Sequence, residues 1–169
     1  LVSRGTWDVS SVREWADVSR EAQTQNRKVH VARIFEMCVL KNSELAVNDP
    51  ARKYKGRSVF DGSWVKDENY DHALYNDLGS APAGMQAGEI VDAYGLQPGY
   101  SEEQADAESA YTQATLKGTA TWVRLPDARW PKEWKGQFKD PVVVRLVLAL
   151  YGHPDAGTCW EKHADENLK

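Results

Sequence analysis

The order of strand-like and helix-like segments in this sequence predicts an α+β fold. Both kinds of segment occur along the 169 residues, but without the regular strand–helix alternation that is typical of a parallel α/β sheet. No internal repeat is visible, which argues against a repeat architecture. Seven Trp and seven Tyr provide large side chains for a core, and a chain of this length buries enough surface to fold by itself.

The first part of the sequence predicts a helix followed by a long β-hairpin. Residues 29–40 and 54–60 are rich in β-branched and aromatic residues, and Asn48-Asp49-Pro50 between them is a strong turn signal. Residues 61–70 are polar, and we expect them to be irregular. The helix is predicted from apolar residues at helical spacing, with a polar cap before them: Val12, Trp15, Val18 and Ala22, capped by Asp8 or Ser10.

The second part predicts two more helices and the most apolar strand of the chain. A helix is expected over 82–95, with Pro82 in its first turn and Gly95 at its end. Residues 104–107 are expected to form a short strand that runs into a helical turn. Three further elements follow: a strand over 121–126, a buried strand over 142–151 and a helix over 156–168.

The composition bounds the function and the compartment. The net charge is −4, whereas proteins that bind nucleic acid by themselves usually carry a basic surplus. The longest apolar run, 146–151, is too short to cross a bilayer, and the N-terminus lacks the apolar segment of a signal peptide. Cys38 and Cys159 are too few for a disulfide framework, so we expect a reducing intracellular compartment.

Asp106 is a candidate metal ligand. It lies in the stretch ADAESAYTQATLKG, beside small residues whose backbone can approach a ligand closely. Magnesium is often held by one or two carboxylates together with phosphate oxygens and water. The alternative is a solvated carboxylate near a helix N-terminus, where the helix dipole stabilises negative charge. Spacing alone favours the solvated carboxylate.

A basic group in the second hairpin strand is a candidate phosphate-binding surface. Lys53, Lys55 and Arg57 alternate along the strand and therefore project from one face, next to Arg52. Such a face can contact a triphosphate or a nucleic-acid backbone. The alternative is an edge strand whose lysines prevent aggregation.

The segment HPDAGTCWEKH raises the question of a zinc site. Cys159 and His163 would lie one helical turn apart, and His153 precedes them, but no second ligand pair is close in sequence. Packing in the core and on the surface is the alternative for all three. No phosphate-binding loop, dinucleotide-binding motif or serine-nucleophile signature occurs in the sequence.

Four segments, in this order, resemble the reverse transcriptase region of copia-type LTR retrotransposon polyproteins. RGTWDV resembles the segment before the fingers, and KYKGRSVFDG resembles the K-x-R-x-V-x-x-G stretch of the fingers hairpin. QADAESAYTQATLKGTATWVRLP is similar to motif A and its continuation, and LVLALYGHPDAGTCWEKH is similar to the L-Y-G-L-x-Q-A-x-x-x-W segment of the palm. The resemblance implies a helix and fingers-like hairpin over 1–80 and a partial palm over 81–169.

The resemblance also implies roles for individual residues in Mg²⁺-dependent, template-directed DNA synthesis on an RNA or DNA template-primer. Asp106 falls on the catalytic carboxylate of motif A, which binds both metal ions of a two-metal nucleotidyl transfer. Ala107 falls where a backbone carbonyl helps to hold the second metal ion, and Tyr111 matches the aromatic residue that excludes a 2′-hydroxyl. Arg57, with Lys53 or Lys55, matches the residues that hold the triphosphate of an incoming deoxynucleotide.

The chain departs from the family pattern in two places. Asp155 stands where the family has Gln, and an acidic side chain there would repel a triphosphate unless a cation intervenes. No Asp-Asp pair occurs in the 169 residues, so the other metal-binding carboxylates of the family, in motif C, are missing, as are thumb and RNase H segments. We therefore expect this chain alone to be inactive as a polymerase.

Three hypotheses follow from these observations. The first is a fragment of a copia-type RNA-directed DNA polymerase. The second is a retroelement-derived, non-catalytic subunit of a larger assembly, in which protein partners cover the truncated palm around 122–134 and 142–150. The third is a small metal- or nucleotide-binding domain that is unrelated to polymerases.

Overall fold

The computed structural model describes residues 1–75, 83–138 and 142–167. Strands and helices are mixed along these residues, so the predicted α+β class is confirmed. The strands are β1 (Trp7–Glu14), β2 (Val29–Lys41), β3 (Lys53–Phe60), β4 (Lys66–Asp67), β5 (Ala120–Arg124) and β6 (Val142–Leu146), and the α-helices are α1 (Trp15–Thr24), α2 (Met85–Gly95) and α3 (Ala156–Asn167).

The strands form one curled sheet in the order β1-β6-β5-β2-β3, and β4 pairs with the beginning of β2. All pairs are antiparallel except β2 with β5, which is parallel. The two strands from the C-terminal half, β6 and β5, therefore lie between β1 and β2 from the N-terminal half. A strand near the N-terminus and the apolar strand near the C-terminus are direct neighbours.

Both faces of the central strands are covered, which agrees with their apolar sequences. On one face, α1 packs against Val29 and Val31 of β2 and Val143 of β6. On the opposite face lies a larger cluster that includes Ala32, Ile34, Phe60, Val123, Val142, Val144, Leu146 and Leu150. The alternation along β2 and β6 places successive side chains on opposite faces, as the geometry of a strand requires.

The predicted N-terminal helix was wrong over its first half. Residues 7–14 form β1, and the helix begins only at Trp15. Asp8 does not cap a helix: its side chain accepts hydrogen bonds from the backbone and side chain of Ser10, at 2.9 and 2.6 Å. The Ser11 hydroxyl accepts from the Arg145 N–H of β6, at 2.8 Å. These bonds stabilise a bulge in β1, and pairing with β6 overrides the local helical pattern.

Several other predictions are confirmed, and two segments differ. The hairpin, the strand near 121–126 and the helices near 82–95 and 156–168 are present, although residues 82 and 168 lie outside the described ranges. Residues 104–107 form no strand, and only the helical turn, Ala110–Gln113, is found. The strand expected over 142–151 ends at Leu146, because the chain turns toward Ala114 and pairs there through Thr115 and Leu148.

The β2–β3 hairpin extends beyond the core. Its first pair, Ile34 with Phe60, is buried, whereas nearly all residues in the pairs from Met37 with Arg57 onward are exposed. The hairpin thus has a buried base and a solvent-exposed outer half. No helix in the described ranges is long and apolar enough to cross a membrane.

Replacing Ser19 by alanine is expected to lower the free energy of unfolding by about 1 kcal/mol, because a buried hydrogen bond is lost. Ser19 is 3% exposed, and its hydroxyl donates to the Glu68 carbonyl at 2.7 Å, which joins α1 to the loop after β4. Urea unfolding measures the loss. Thr24→Ala, which removes an exposed hydroxyl at the end of the same helix, should cost less than about 0.5 kcal/mol. Equal losses for the two variants would contradict the assigned role of Ser19.

Candidate functional site

The largest groove described for this chain lies between the outer hairpin and the segment that follows Gln104. Its volume is about 590 Å³. One wall is β3 over 55–58, the opposite wall is the loop and helical turn over 106–112, and Leu150, Tyr151 and Trp160 close the groove between them. Five of the seven predicted site residues line it: Lys55, Arg57, Asp106, Ala107 and Tyr111. Two sequence segments nearly 50 residues apart are therefore brought together.

Gly152 fixes the position of Tyr151 beside β3. The backbone N–H of Phe60 donates to the Tyr151 carbonyl at 2.7 Å, so the chain after β6 runs directly along the end of β3. Gly152 has φ 88°, and a Cβ there would collide with the Phe60 carbonyl oxygen. Only glycine combines this left-handed backbone with so close an approach. The Y-G pair in the sequence thus builds the end of the groove.

The opposite wall is held by backbone pairing and by side-chain hydrogen bonds. The N–H of Leu116 donates to Val147, and that of Ala149 donates to Ala114, each at 2.9 Å. These bonds anchor the chain just after the helical turn. Within the wall, the Thr112 hydroxyl donates to the Ser109 carbonyl at 3.0 Å and accepts from the Arg4 guanidinium at 3.4 Å.

Positive charge exceeds negative charge in the groove. Arg4, Lys55 and Arg57 line it, and Asp106 is the one carboxylate among its lining residues. The Arg57 guanidinium lies over the Tyr151 ring, 5.7 Å from its centroid, and Tyr151 meets Tyr111 edge-on at 5.0 Å. The guanidinium and the two aromatic rings therefore form a continuous series of contacts. The groove can therefore accept an anion whose remaining part is flat and apolar.

Asp106 is exposed at the mouth of the groove, on a loop rather than on a strand. The described residues contain no group of three or more His, Cys, Asp or Glu side chains that could hold a metal ion. A single carboxylate is nevertheless a suitable Mg²⁺ ligand when phosphate oxygens and water complete the shell. The donor set fits a metal ion that arrives with a phosphate ligand, and it does not fit a resident ion held by protein alone.

Two predicted site residues lie elsewhere. Lys53 is near the outer end of the hairpin and does not line the groove. Asp155 lies at the start of α3 and lines a different groove of about 320 Å³, together with Lys117 and Lys162. The turn at Gly152 directs Asp155 away from β3. The expected repulsion of a triphosphate by Asp155 therefore has no geometric basis in this groove.

The residues considered for a zinc site do not meet. His153 is 5% exposed and packs in the core against Phe60, at a centroid distance of 4.7 Å, and its Nδ1 accepts the Asp155 N–H at 3.1 Å. Burial, together with the nearby His30, lowers the pKa of His153 to about 4. Cys159 and His163 line the groove of Asp155. His153 is therefore a neutral core residue, as the packing alternative predicted.

The cysteines are not paired: Cys38 is exposed on the hairpin, and Cys159 is a buried residue of α3.

Of the groove residues that the sequence did not predict, three have charged or aromatic side chains: Arg4, Tyr151 and Trp160. Arg4 precedes the first strand, and nothing in its local sequence indicates that it would meet the 106–112 segment. Trp160 lies in the final helix, four residues beyond its start, and reaches the groove only because α3 packs on the helical turn. Tyr151 carried a usable signal, since a bulky residue before a glycine at a strand end is typical of a constrained turn.

No protein-family model, curated protein or solved structure matches this chain.

Proposed function

We propose that this chain is the fingers and N-terminal palm portion of a copia-type RNA-directed DNA polymerase, and that the groove receives the triphosphate of a deoxynucleotide. The observation that carries the proposal is the meeting of two motif segments in one groove. Lys55 and Arg57 come from the fingers-like hairpin, and Asp106, Ala107 and Tyr111 come from the segment that resembles motif A. The resemblance assigns these residues to the same ligand.

The proposed contacts follow from the charges in the groove. The Arg57 guanidinium and the Lys55 ammonium would bind phosphate oxygens, and Arg57 offers the planar fork that suits phosphate best. Asp106 would hold a magnesium ion that the triphosphate brings with it. When bound, that ion would neutralise part of the phosphate charge. The Tyr111 and Tyr151 rings would face the sugar and base.

Complete polymerase chemistry needs more carboxylates than this chain supplies. Asp106 is the one acidic residue of the groove, whereas a two-metal site requires several. We therefore propose nucleotide binding, without polymerisation, as the activity of these 169 residues alone. Polymerisation would require the carboxylates of a motif C segment to be supplied in addition.

Titration calorimetry with dATP, in the presence and absence of Mg²⁺, tests the proposal. We expect Arg57→Ala to weaken the Kd for Mg-dATP by about tenfold, because a charge-assisted bond to phosphate is lost. Asp106→Asn should make dATP binding independent of Mg²⁺. Lys53→Ala is the matched control, since Lys53 is on the same face of the same strand but outside the groove, and its Kd should stay unchanged.

The results separate the alternatives. Binding that Arg57→Ala leaves intact, or that Lys53→Ala weakens equally, would contradict the proposed site. Tight binding of Mg²⁺ without any nucleotide would favour the unrelated metal-binding domain instead.

The second candidate function is a non-catalytic, retroelement-derived subunit that binds other proteins. The observation that favours it is the exposure of α2, in which no residue is buried although Ile90, Val91 and Tyr94 are apolar. Unpartnered apolar helices are typical of interaction surfaces. If the chain does not bind dATP but associates stably with another protein, this second function is favoured.

A further inference from the structure

Helix α2 and the turn after it form an apolar groove that nothing else within residues 1–75, 83–138 and 142–167 fills. Ile90, Val91, Tyr94 and Tyr100 are 58% to 63% exposed and line a space of about 270 Å³. Tyr94 and Tyr100 meet edge-on at 5.8 Å, which holds the two sides of the groove together. Glu102 and Glu103 form its rim. We name this surface, defined by Ile90, Val91, Tyr94, Tyr100, Glu102 and Glu103, the α2 groove.

The charge around the α2 groove is of one sign. Residues 83–116 contain no Lys or Arg, and their six acidic residues are Glu89, Asp92, Glu102, Glu103, Asp106 and Glu108. An occupant should therefore combine apolar side chains with positive charges and should carry no acidic residue.

The outer half of the β2–β3 hairpin has these properties. Phe35, Met37 and Val39 lie on one face and are 41% to 44% exposed. Their partners on β3 lie on the same face, because directly paired residues of antiparallel strands project together. We name this surface the hairpin face; its residues are Phe35, Met37, Val39, Lys41, Lys53, Lys55, Arg57 and Val59, of which four are basic and none is acidic.

We propose that the α2 groove of one copy of this chain binds the hairpin face of a second copy. The apolar side chains of the two surfaces would cover one another, and Glu102 and Glu103 would meet the lysines at the outer end of the hairpin. Both surfaces are exposed within a single chain, and every copy carries both at equal concentration. The opposite charges favour this pairing over groove with groove or hairpin with hairpin.

The contact joins two different patches, so it determines how copies assemble. Made twice about a two-fold axis, it gives a closed dimer; made once per copy, it gives an extended chain. The hairpin face shares Lys55 and Arg57 with the nucleotide groove, whereas Lys41 and Lys53 lie outside that groove. These two lysines can therefore be changed without touching the residues proposed to bind phosphate.

Sedimentation equilibrium with a pair of charge-reversal variants tests the contact. The hairpin variant carries Lys41→Glu and Lys53→Glu, and the groove variant carries Glu102→Lys and Glu103→Lys. We expect each variant alone to associate at least about tenfold more weakly than the wild type, because like charges then face each other. An equimolar mixture should regain association within about threefold of the wild type, since both contacts between unlike variants pair opposite charges.

Two controls separate a specific contact from attraction between net charges. Glu161→Lys with Asp165→Lys changes the net charge as the groove variant does, but on exposed α3 positions, and should associate like the wild type. Lys132→Glu with Lys135→Glu, also exposed, should not restore association when it is mixed with the groove variant.

Three outcomes would overturn the proposal. The wild-type chain could stay monomeric at the highest soluble concentration, as it would if the hairpin face bound only nucleic acid or another protein. The reversal variants could associate as strongly as the wild type, which would place the contact elsewhere. The mixture of hairpin and groove variants could fail to associate although circular dichroism shows that both are folded.

Discussion

Gly152→Ala is expected to lower the free energy of unfolding by about 3 to 4 kcal/mol, the largest single effect that we predict. Two costs add at this residue. The backbone has φ 88°, which disfavours any side chain, and the new Cβ would collide with the backbone carbonyl of Phe60 and lie 3.0 Å from Val59 Cγ1. A backbone carbonyl that lies within the sheet cannot move aside as a flexible side chain can. Urea unfolding near neutral pH measures the loss.

Gly118→Ala is the matched control for this prediction. Gly118 has a similar φ of 96°, but a Cβ there would meet nothing within 4 Å. Its substitution should lower the free energy of unfolding by about 1 kcal/mol, which is the cost of placing a side chain on a left-handed backbone. The difference between the two variants isolates the collision with Phe60. Equal losses would show that the turn at Gly152 is not in close contact with the end of β3.

The second large effect is a loss of stability in acid that His153 causes. Burial, together with the nearby His30, lowers the pKa of His153 from 6.5 to about 4 in the folded protein. Between these two values the unfolded chain binds a proton that the folded chain does not. The contribution of neutral His153 to the free energy of unfolding is therefore fully present above the unfolded pKa. It is lost as the pH decreases toward 4. Between about pH 7.5 and about pH 4.5 this single group is expected to cost about 2.5 kcal/mol.

Other titratable groups near the cluster act in known directions. Burial also lowers the pKa of His30, and Glu68, Asp67 and Asp155 oppose that shift. Tyr75, whose ring meets both His30 and His153, has its pKa raised, mainly by burial and also by Asp155. His30 therefore adds to the acid sensitivity, while Tyr75 does not titrate in this range.

The variant His153→Asn isolates the effect of His153. Asparagine keeps an acceptor for the Asp155 N–H but has no titratable group. As the pH is lowered, the free energy of unfolding of this variant should therefore decrease less than that of the wild type. His72→Asn, at an exposed histidine, is the control substitution. Urea unfolding of the three proteins across this pH range gives the comparison. Parallel pH profiles for the wild type and His153→Asn would refute the assignment.

The parts of the fold that were predicted correctly are those with strong local signals. The hairpin was predicted because two β-branched segments flank a turn containing Asn-Asp-Pro, and α3 was predicted after a clear break at Pro154. The start of β1 was mispredicted because Val12, Trp15 and Val18 fit a helical period, while the bulge at Asp8 obscures the alternation of a strand.

The residues of the candidate groove likewise fall into those with a signal in the sequence and those without one. Its five predicted residues came from two motif segments whose resemblance assigns them to one ligand. Arg4 and Trp160 belong to segments with no such signal and reach the groove only through long-range packing. Asp155 was expected near the phosphates because the resemblance places it where the family has Gln, but the left-handed turn at Gly152 lies between Tyr151 and Asp155, which lines a different groove.

The sequence by itself determined the mixture of strands and helices, the alternating basic face of the hairpin and the acidic, apolar character of α2, since each depends on the period and charge of neighbouring residues. Only the tertiary structure decided that the N-terminal segment is a strand beside β6, that Lys55 and Arg57 share a groove with Asp106, and that the other described residues leave the α2 groove uncovered. Those outcomes depend on contacts between residues far apart in the chain, which a local pattern cannot specify.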